Sequence, residues 1–442
     1  SNMLNSIQKA FKVKEVRERL LYTFMMLIVI RIGSCLPIPG VDASFLKEFF
    51  TNLQNSGMGF VNAITGGSFS NMSLFALSIT PYITSSIIMQ LMTIAIPKLE
   101  EMQKEGEDGR KKIAEYTRYL TVALALFQSS AMAIGFGKQG LLYEDAQNVW
   151  GYMTVIAAMT AGSALLMWIG ERITEKGVGN GISIVLLINI VSSLPQDVLM
   201  LYERFMAGKS VAVATVAAII VLAVVVATVV FVLVLNGAER RIPVQYSKKM
   251  QGRRMIGGQS SHIPLKVNTA GVIPVIFASS IMSMPVMIAQ FFNVDYSTFG
   301  GKILMALSSA NWFRPEMPVY SVGLLIYIVL VVLFAYFYTS ITFNPLEVAN
   351  NMKKSGGFIP GVRPGKPTSD FLNNILNYIV FIGATGLVIV CIVPIIASGL
   401  FNVGSLSFGG TSLIIIAGVI LETIKAVDSM MLVRNYKGFL ND

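Results

Sequence analysis

Ten long, nearly chargeless apolar stretches divide this chain, and its Lys and Arg residues crowd into every second loop between them. A bilayer core about 30 Å thick takes ~20 apolar residues as a helix. Lipid offers no partner to backbone N–H and C=O groups, so a helix that satisfies its own is the natural spanning unit. The pattern predicts an all-α polytopic membrane protein. The stretches run Leu20–Leu36, Met72–Ile96, Tyr119–Phe136, Gly151–Ile169, Ile182–Leu194, Val211–Leu235, Ala270–Phe292, Tyr320–Ile341, Phe371–Ile396 and Thr411–Leu421. The fifth and tenth are short for a span and are expected to continue as helix into their flanks. Hydrophobic residues make up 54% of the chain and charged ones only 13%, about half the share in ordinary soluble proteins, which argues against a soluble enzyme.

An even number of spans puts both termini on one side. With the N-terminus inside, 26 of the 34 basic residues fall in inside segments and six outside: Lys47, Lys138, Arg204, Lys209, Lys302 and Arg314. Over loops this short, such a bias sets both termini in the cytoplasm. The net charge of +10 therefore belongs to the cytoplasmic face. It suits anionic lipid, at ~1 kcal/mol per basic residue near the surface. The seven basic residues between Asn236 and Thr269 exceed what orientation needs and also fit an acidic or phosphate-rich partner. The basic, amphipathic start (Phe11-Lys-Val-Lys-Glu-Val-Arg17) does not read as a cleavable leader. Cys35 and Cys391 read as two lone thiols in lipid-facing helices, although a disulfide between them is conceivable.

The outside loop Pro195 to Ser210 divides the chain into an N-terminal half, residues 1–209, and a C-terminal half, residues 210–442. Five spans per half place the halves in opposite orientation, so any repeat relates them by an axis in the membrane plane. The second span of each half carries proline beside isoleucine and then Ser-Ser-Ile: Ile79-Thr-Pro81-Tyr-Ile83 with Ser85-Ser86-Ile87, and Ile273-Pro274-Val-Ile276 with Ser279-Ser280-Ile281. Both read as proline-softened helices. Between the first two spans, Ile64-Thr-Gly66-Gly67-Ser68-Phe-Ser70 is too short to span and too weakly charged for an ordinary solvated loop. It reads either as a re-entrant piece buried in protein or as a surface loop with an interfacial helix.

Chemistry is mostly missing. No His/Cys cluster has metal-ligand spacing, and the single histidine, His262, sits in a basic loop. Gly177-Val-Gly-Asn-Gly181 imitates a phosphate loop without its Lys-Ser/Thr and reads as a tight turn into the fifth span. No nucleophile and base pair up, no cofactor is called for, and ATP hydrolysis would have to come from a partner. Apart from Arg31, and Glu422, Lys425 and Asp428 near the end of the last span, the spans hold no ionisable residue. An ion-coupled transporter normally keeps carboxylates at mid-membrane. Aliphatic helices with scattered small polar residues suit close packing or an apolar pore that closes by dewetting. These features alone leave a channel and an ion-coupled secondary transporter both open.

Longer motifs carry a family resemblance. Arg31-Ile-Gly-Ser-Cys-Leu-Pro-Ile-Pro-Gly40, Ala76-Leu-Ser-Ile-Thr-Pro-Tyr-Ile-Thr-Ser-Ser-Ile-Ile-Met-Gln90 and Lys104-Glu-Gly-Glu-Asp-Gly-Arg-Lys-Lys112 resemble the SecY/Sec61 family of protein-conducting channel subunits. So do Gln251-Gly-Arg-Arg254, His262-Ile-Pro-Leu-Lys-Val-Asn268 with Ala270-Gly-Val-Ile-Pro274, and Asn350-Asn-Met-Lys-Lys-Ser-Gly-Gly-Phe-Ile-Pro-Gly-Val-Arg-Pro-Gly365. The resemblance runs through all ten spans in order. It implies an inverted five-plus-five clamshell hinged between Pro195 and Ser210, with a lateral gate between the second and third spans and the seventh and eighth.

Carried over residue by residue, the resemblance implies a pore ring of Ile79, Ile83, Ile182, Leu186, Ile276 and Ile415. It implies gate helices bearing Pro81, Gln90, Gln128 and Pro274, and a plug around residues 57–70 with Ile64, Gly66, Gly67 and Ser68. The large cytoplasmic loops, 236–269 and 342–370, would dock the SecA ATPase or the ribosome through Arg253, Arg254 and Arg363. SecE and SecG are the implied partner subunits, signal-bearing polypeptides the implied substrate, and the bacterial plasma membrane the implied location.

Overall fold

The computed structural model describes residues 11–39, 77–139, 148–192, 210–246, 249–251, 254–256, 260–268, 271–289, 299–307, 321–401 and 412–440, with a few isolated positions besides. The expected plug residues Ile64, Gly66, Gly67 and Ser68, and Arg253, lie outside them. In chain order the helices are α1 Lys14–Cys35, α2 Thr80–Ala95, α3 Pro97–Lys104, α4 Glu107–Gln139, α5 Val149–Lys176, α6 Gly181–Ser192 and α7 Val211–Gly237. After a strand region come α8 Ile273–Ala289, α9 Phe299–Leu307, α10 Ser321–Thr342, α11 Pro345–Lys354, α12 Lys366–Phe401 and α13 Ser412–Leu440.

The helices arise from long runs of good helix formers and aliphatic residues with local start signals. Asn148 accepts a hydrogen bond from the Gly151 N–H at 2.7 Å and caps α5, while Ser210 caps α7 through the Val213 N–H at 3.4 Å. An Asn148→Ala change should cost ~1 kcal/mol of local stability, since such caps satisfy an orphan helix donor. Faster amide exchange confined to residues 149–152 is the expected result. Among the described residues, four segments are long and apolar enough to cross a membrane: Val149–Lys176, Val211–Leu235, Val322–Lys354 and Lys366–Val393. The shorter apolar helices include α6 and the first part of α8.

Two sequence expectations need correction. Pro81 and Pro274 do not soften helix interiors. Helix α2 begins at Thr80 and α8 at Ile273, so each proline occupies the first turn. There its missing N–H costs nothing and its fixed φ favours helix initiation. The proline inside α8 is Pro285. Cys35 and Cys391 are both free, but Cys391 is fully buried rather than lipid-facing.

The packing inverts that of a soluble protein. Large aliphatic residues of α7, among them Val216, Ile219, Leu222 and Val226, are exposed, whereas Ser78, Ser85, Ser129, Ser163, Ser183, Asn189 and Thr339 are buried. Among the described residues the buried polar side chains are Ser, Thr, Asn and Gln, together with the hydroxyl of Tyr327. In lipid, apolar side chains lose nothing by facing outward, and helices associate through small residues and hydrogen bonds. Serine and threonine hydroxyls return hydrogen bonds to carbonyls of the preceding turn, as Ser34 does to Ile30 and Thr339 to Ala335.

Helix α1 packs on α5 and α6, α2 on α4, α4 on α5, and α5 on α6. Further along, α7 packs on α12 and α13, α8 on α10, α10 on α12, and α12 on α13. Two seams join these groups: α8 against α2 and α4, and α13 against α6 and α1.

A three-stranded antiparallel sheet, ordered β4-β1-β5, follows α7. It comprises β1 Glu239–Tyr246, β4 Ser260–Lys266 and β5 Gly357–Phe358, while β2 Lys249–Gln251 and β3 Arg254–Ile256 form a separate hairpin. Strand β1 pairs Ile242 with Ile263 and Val244 with Ser261. Ile242, Val244 and Leu265 are buried against Met352 of α11 and Leu372, Ile375 and Ile379 of α12. The sheet is thereby anchored to the foot of α12, and Arg240 and Arg241 of β1 are both exposed. His262 sits on β4 opposite Pro243.

Candidate functional site

The six aliphatic positions singled out in the sequence come from α2, its N-cap, α6, α8 and α13. Five belong to one contiguous cluster of buried residues, and half-buried Ile182 packs against it. Ile79, Ile83, Leu186 and Ile415 are each 1% exposed and Ile276 4%. Their meeting point rests on a close backbone approach. A Cβ on Gly181 would fall 1.7 Å from the Gly170 carbonyl oxygen, so α6 lies directly on α5. At Gly170 itself, a Cβ would stand 3.3 Å from Ile79 Cδ1 and 3.9 Å from Ile182 N. Bare glycine thus lets Ile79 of one helix start and Ile182 of another converge.

The turn between α5 and α6, Gly177 to Asn180, is fastened from two sides. Val178 N–H donates to Thr23 Oγ1 at 3.1 Å, and Arg19 Nη1 donates to the Gly177 carbonyl at 3.3 Å. Val178 packs with Val16 of α1 and Val427 of α13. This glycine run is therefore a structural turn, buried at Gly177 and Val178. Further out, Arg118 of α4 pairs with Glu171 of α5 at 2.9 Å. That hydrogen bond, ahead of other influences, holds the Arg118 guanidinium above its usual range.

The gate candidates are carried on α2, α4 and α8, the helices of one seam. Gln128 of α4 is buried, Gln90 of α2 is half-buried, and Ser279 and Ser280 of α8 are buried. Ser85 Oγ and Gln90 Oε1 are buried without a hydrogen-bond partner among the described residues. Phe277 of α8 meets Phe334 of α10 edge-on, with ring centroids 5.7 Å apart. Pro81 and Pro274 start the helices on either side. Arg363 is exposed in the turn ahead of α12, and its carbonyl accepts from Thr368 Oγ1. Arg254 stands on β3.

Sequence reasoning passed over Ser78, Ser163 and Asn189. Ser78 is fully buried with φ 53°, its carbonyl accepting from Ser163 Oγ at 3.2 Å and its hydroxyl from Asn189 Nδ2 at 3.4 Å. The available signal was an asparagine within the aliphatic run Leu186-Leu-Ile-Asn-Ile190, since a polar side chain at membrane depth needs a partner. Val272 and Val275, also buried in the cluster, carried no signal that separates them from lipid-facing valines.

A helical bundle that turns aliphatic side chains outward, buries small hydroxyls and amides and gathers aliphatic side chains at its centre is a multi-pass membrane protein. The SecY family profile matches residues 73–424. The protein translocase subunit SecY of Streptomyces scabiei is 42% identical over 451 aligned positions, covering 99% of this chain and 100% of its own. That of Thermus thermophilus is 40% identical over 443 positions, covering 99% and 98%. Among solved structures, "The structure of a protein conducting channel" superposes with TM-score 0.63 at 17% identity, covering 95% of this chain and 96% of that one. "Sec61 in the Canine ribosome-channel complex from the endoplasmic reticulum" does so at 0.59 and 17%, with the same coverage. The chain belongs to the SecY family of protein translocase subunits. It is a multi-pass protein of the bacterial plasma membrane.

Proposed function

We propose that this chain is the channel through which unfolded secretory polypeptides cross the plasma membrane and from which apolar segments leave sideways into the bilayer. The observation that carries this reading is the gathering of Ile79, Ile83, Ile182, Leu186, Ile276 and Ile415 from four helix regions into one chargeless cluster. Aliphatic side chains meeting at a waist exclude water and ions by dewetting. They present no fixed charge or hydrogen bond, so they yield to whatever side chain passes. Lateral exit follows from the passenger itself. Leu, Ile or Phe each gain ~0.3–0.6 kcal/mol at mid-membrane, whereas Asp, Lys or Arg cost ~2.5–3.5 kcal/mol.

The packing supports an inverted clamshell of ten spans, with α1, α2, α4, α5 and α6 in one half and α7, α8, α10, α12 and α13 in the other. Each contact among the first five has its counterpart among the second: α1–α5 with α7–α12, α2–α4 with α8–α10, α5–α6 with α12–α13. The α8 seam with α2 and α4 is the lateral gate, and the loop after α6 is the hinge. Residues 57–70 form the plug, a reading in keeping with a fold neighbour described by "The plug domain of the SecY protein stablizes the closed state of the translocation channel and maintains a membrane seal". The alternative of an ion-coupled secondary transporter gains no support from these relatives.

Both termini are cytoplasmic, as the distribution of basic residues implies. The sheet and the Arg363 turn then form a basic cytoplasmic face for the SecA motor or the ribosome. Two fold neighbours are ribosome-bound channels, the canine Sec61 complex and the idle yeast Ssh1 complex on the 80S ribosome. SecE and SecG complete the clamp, and anionic lipid surrounds the basic rim. Arg363→Glu should weaken motor-driven export while leaving assembly intact, because the side chain is exposed. Normal SecA-dependent translocation into vesicles carrying that variant removes Arg363 from the docking face.

A further inference from the structure

The two gate helices begin in the same way. Two residues ahead of each stands a left-handed residue: Ser78 (φ 53°) before α2 and Gly271 (φ 63°) before α8. Ser78 N–H donates to the Phe75 carbonyl at 2.8 Å, and Gly271 N–H to the Asn268 carbonyl at 3.4 Å. The first helical bonds follow in step, Ile83 N–H to Ile79 O at 3.0 Å and Ile276 N–H to Val272 O at 3.1 Å. Left-handed backbone is unfavourable for a residue with a Cβ, so a buried serine there must be held by its surroundings.

Each turn is held by the last helix of its own half. Asn189 lies seven residues after the ring residue Ile182 on α6, and its Nδ2 donates to Ser78 Oγ at 3.4 Å. Glu422 lies seven residues after the ring residue Ile415 on α13, and its Oε1 accepts from the Val272 N–H at 3.4 Å. Seven residues are about two helical turns, so each polar residue shares a face with its ring residue. On the α8 side a Cβ on Gly271 would fall 1.9 Å from Glu422 Oε1, so a larger residue there would have to displace the carboxylate. On the α2 side, Ser163 Oγ adds a third tie, to the Ser78 carbonyl.

We infer that Asn189 and Glu422 are paired positioning residues, each pinning the first turn of its half's gate helix to the helix that carries the facing ring residue. The inference rests on the channel reading above. The pins fix Ile79 and Ile83 against Ile182, and Ile276 against Ile415, so the seal depends on polar contacts that lie outside it. At 3.4 Å both bonds are longer than ordinary N–H···O hydrogen bonds.

The test uses the full chain in its native complex in cells, reading export of a reporter whose signal has lost its apolar core. Asn189→Leu and Glu422→Leu should each raise that export about fivefold at unchanged membrane levels, as loss of one hydrogen bond favouring the closed state implies. Glu422→Gln keeps an oxygen to accept from Val272 N–H and should stay within about twofold of the unsubstituted chain. Should a leucine variant fail to accumulate, Ser78→Ala and Glu422→Ala remove the same two bonds with less added bulk. Unchanged export from the variants of both positions overturns the inference. So does a Glu422→Gln rise equal to that of Glu422→Leu, because charge rather than the bond would then matter. Ile276→Asn is measured alongside. If it raises export while the pin variants do not, only the pinning fails; if it too is silent, the ring reading fails and takes the pinning with it.

Discussion

Ile276→Asn should turn the resting channel leaky, raising ion conductance and export of defective-signal reporters about ten- to a hundredfold. Ile276 is buried on α8 within the apolar cluster shared with Ile79, Ile83, Leu186 and Ile415. An amide left there without partners costs ~1–3 kcal/mol. The cheapest relief is water, and water in the constriction abolishes the dewetted seal. Each 1.4 kcal/mol is a factor of ten in the balance of closed and wetted states. Single-channel recording from planar bilayers measures the effect. Unchanged conductance across asparagine variants at several of the six positions counts against the ring.

Gly181→Ala should strongly destabilise the chain although it changes no ring side chain. Its Cβ would meet the Gly170 carbonyl at 1.7 Å and Thr174 Oγ1 at 2.9 Å. The nearer partner is backbone, which cannot rotate away, so α5 and α6 must move apart, carrying Ile79 and Ile182 with them. The expected loss is about 3 kcal/mol, at the upper end for overpacking. The matched control is Gly237→Ala at the end of α7, where a Cβ meets nothing within 4 Å. Thermal unfolding in detergent should show a clearly lowered midpoint for the first and little change for the second. Equal midpoints would mean that the two helices can part at no cost.

The membrane character was plain from α7, whose 27 residues hold no charge, and from basic residues confined to alternate loops. The Gly177-Val-Gly-Asn-Gly181 run was legible as a turn because its phosphate-binding partners are missing. Helix starts were less legible. Apolar composition runs unbroken from Met72 through Ile96, yet the helix begins only at Thr80, because a left-handed turn at Ser78 interrupts it and Pro81 suits a first turn. The β-sheet in the loop after α7 gave almost no signal. Its strands carry Pro243 and Pro264 and two adjacent arginines, and their apolar face, Ile242, Val244 and Leu265, is completed by α11 and α12 from far along the chain. The candidate ring could not be read from periodicity at all. Ile87, Ile184, Ile190 and Ile395 are buried in the same cluster, and only the family resemblance separated the six positions from them. Glu422 stood out in the sequence as an ionisable residue near the end of the last span, whereas Asn189 was passed over, and what either touches is set by helix packing.

The central claim is that exported polypeptide passes between these aliphatic side chains. A photo-crosslinking amino acid placed in turn at Ile79, Ile182, Ile276 and Ile415, and at the exposed positions Ile219 and Leu222 of α7, tests it against a stalled, half-exported chain. Adducts to the stalled polypeptide from the first four positions and none from α7 are predicted; adducts from α7 with none from the four would contradict it.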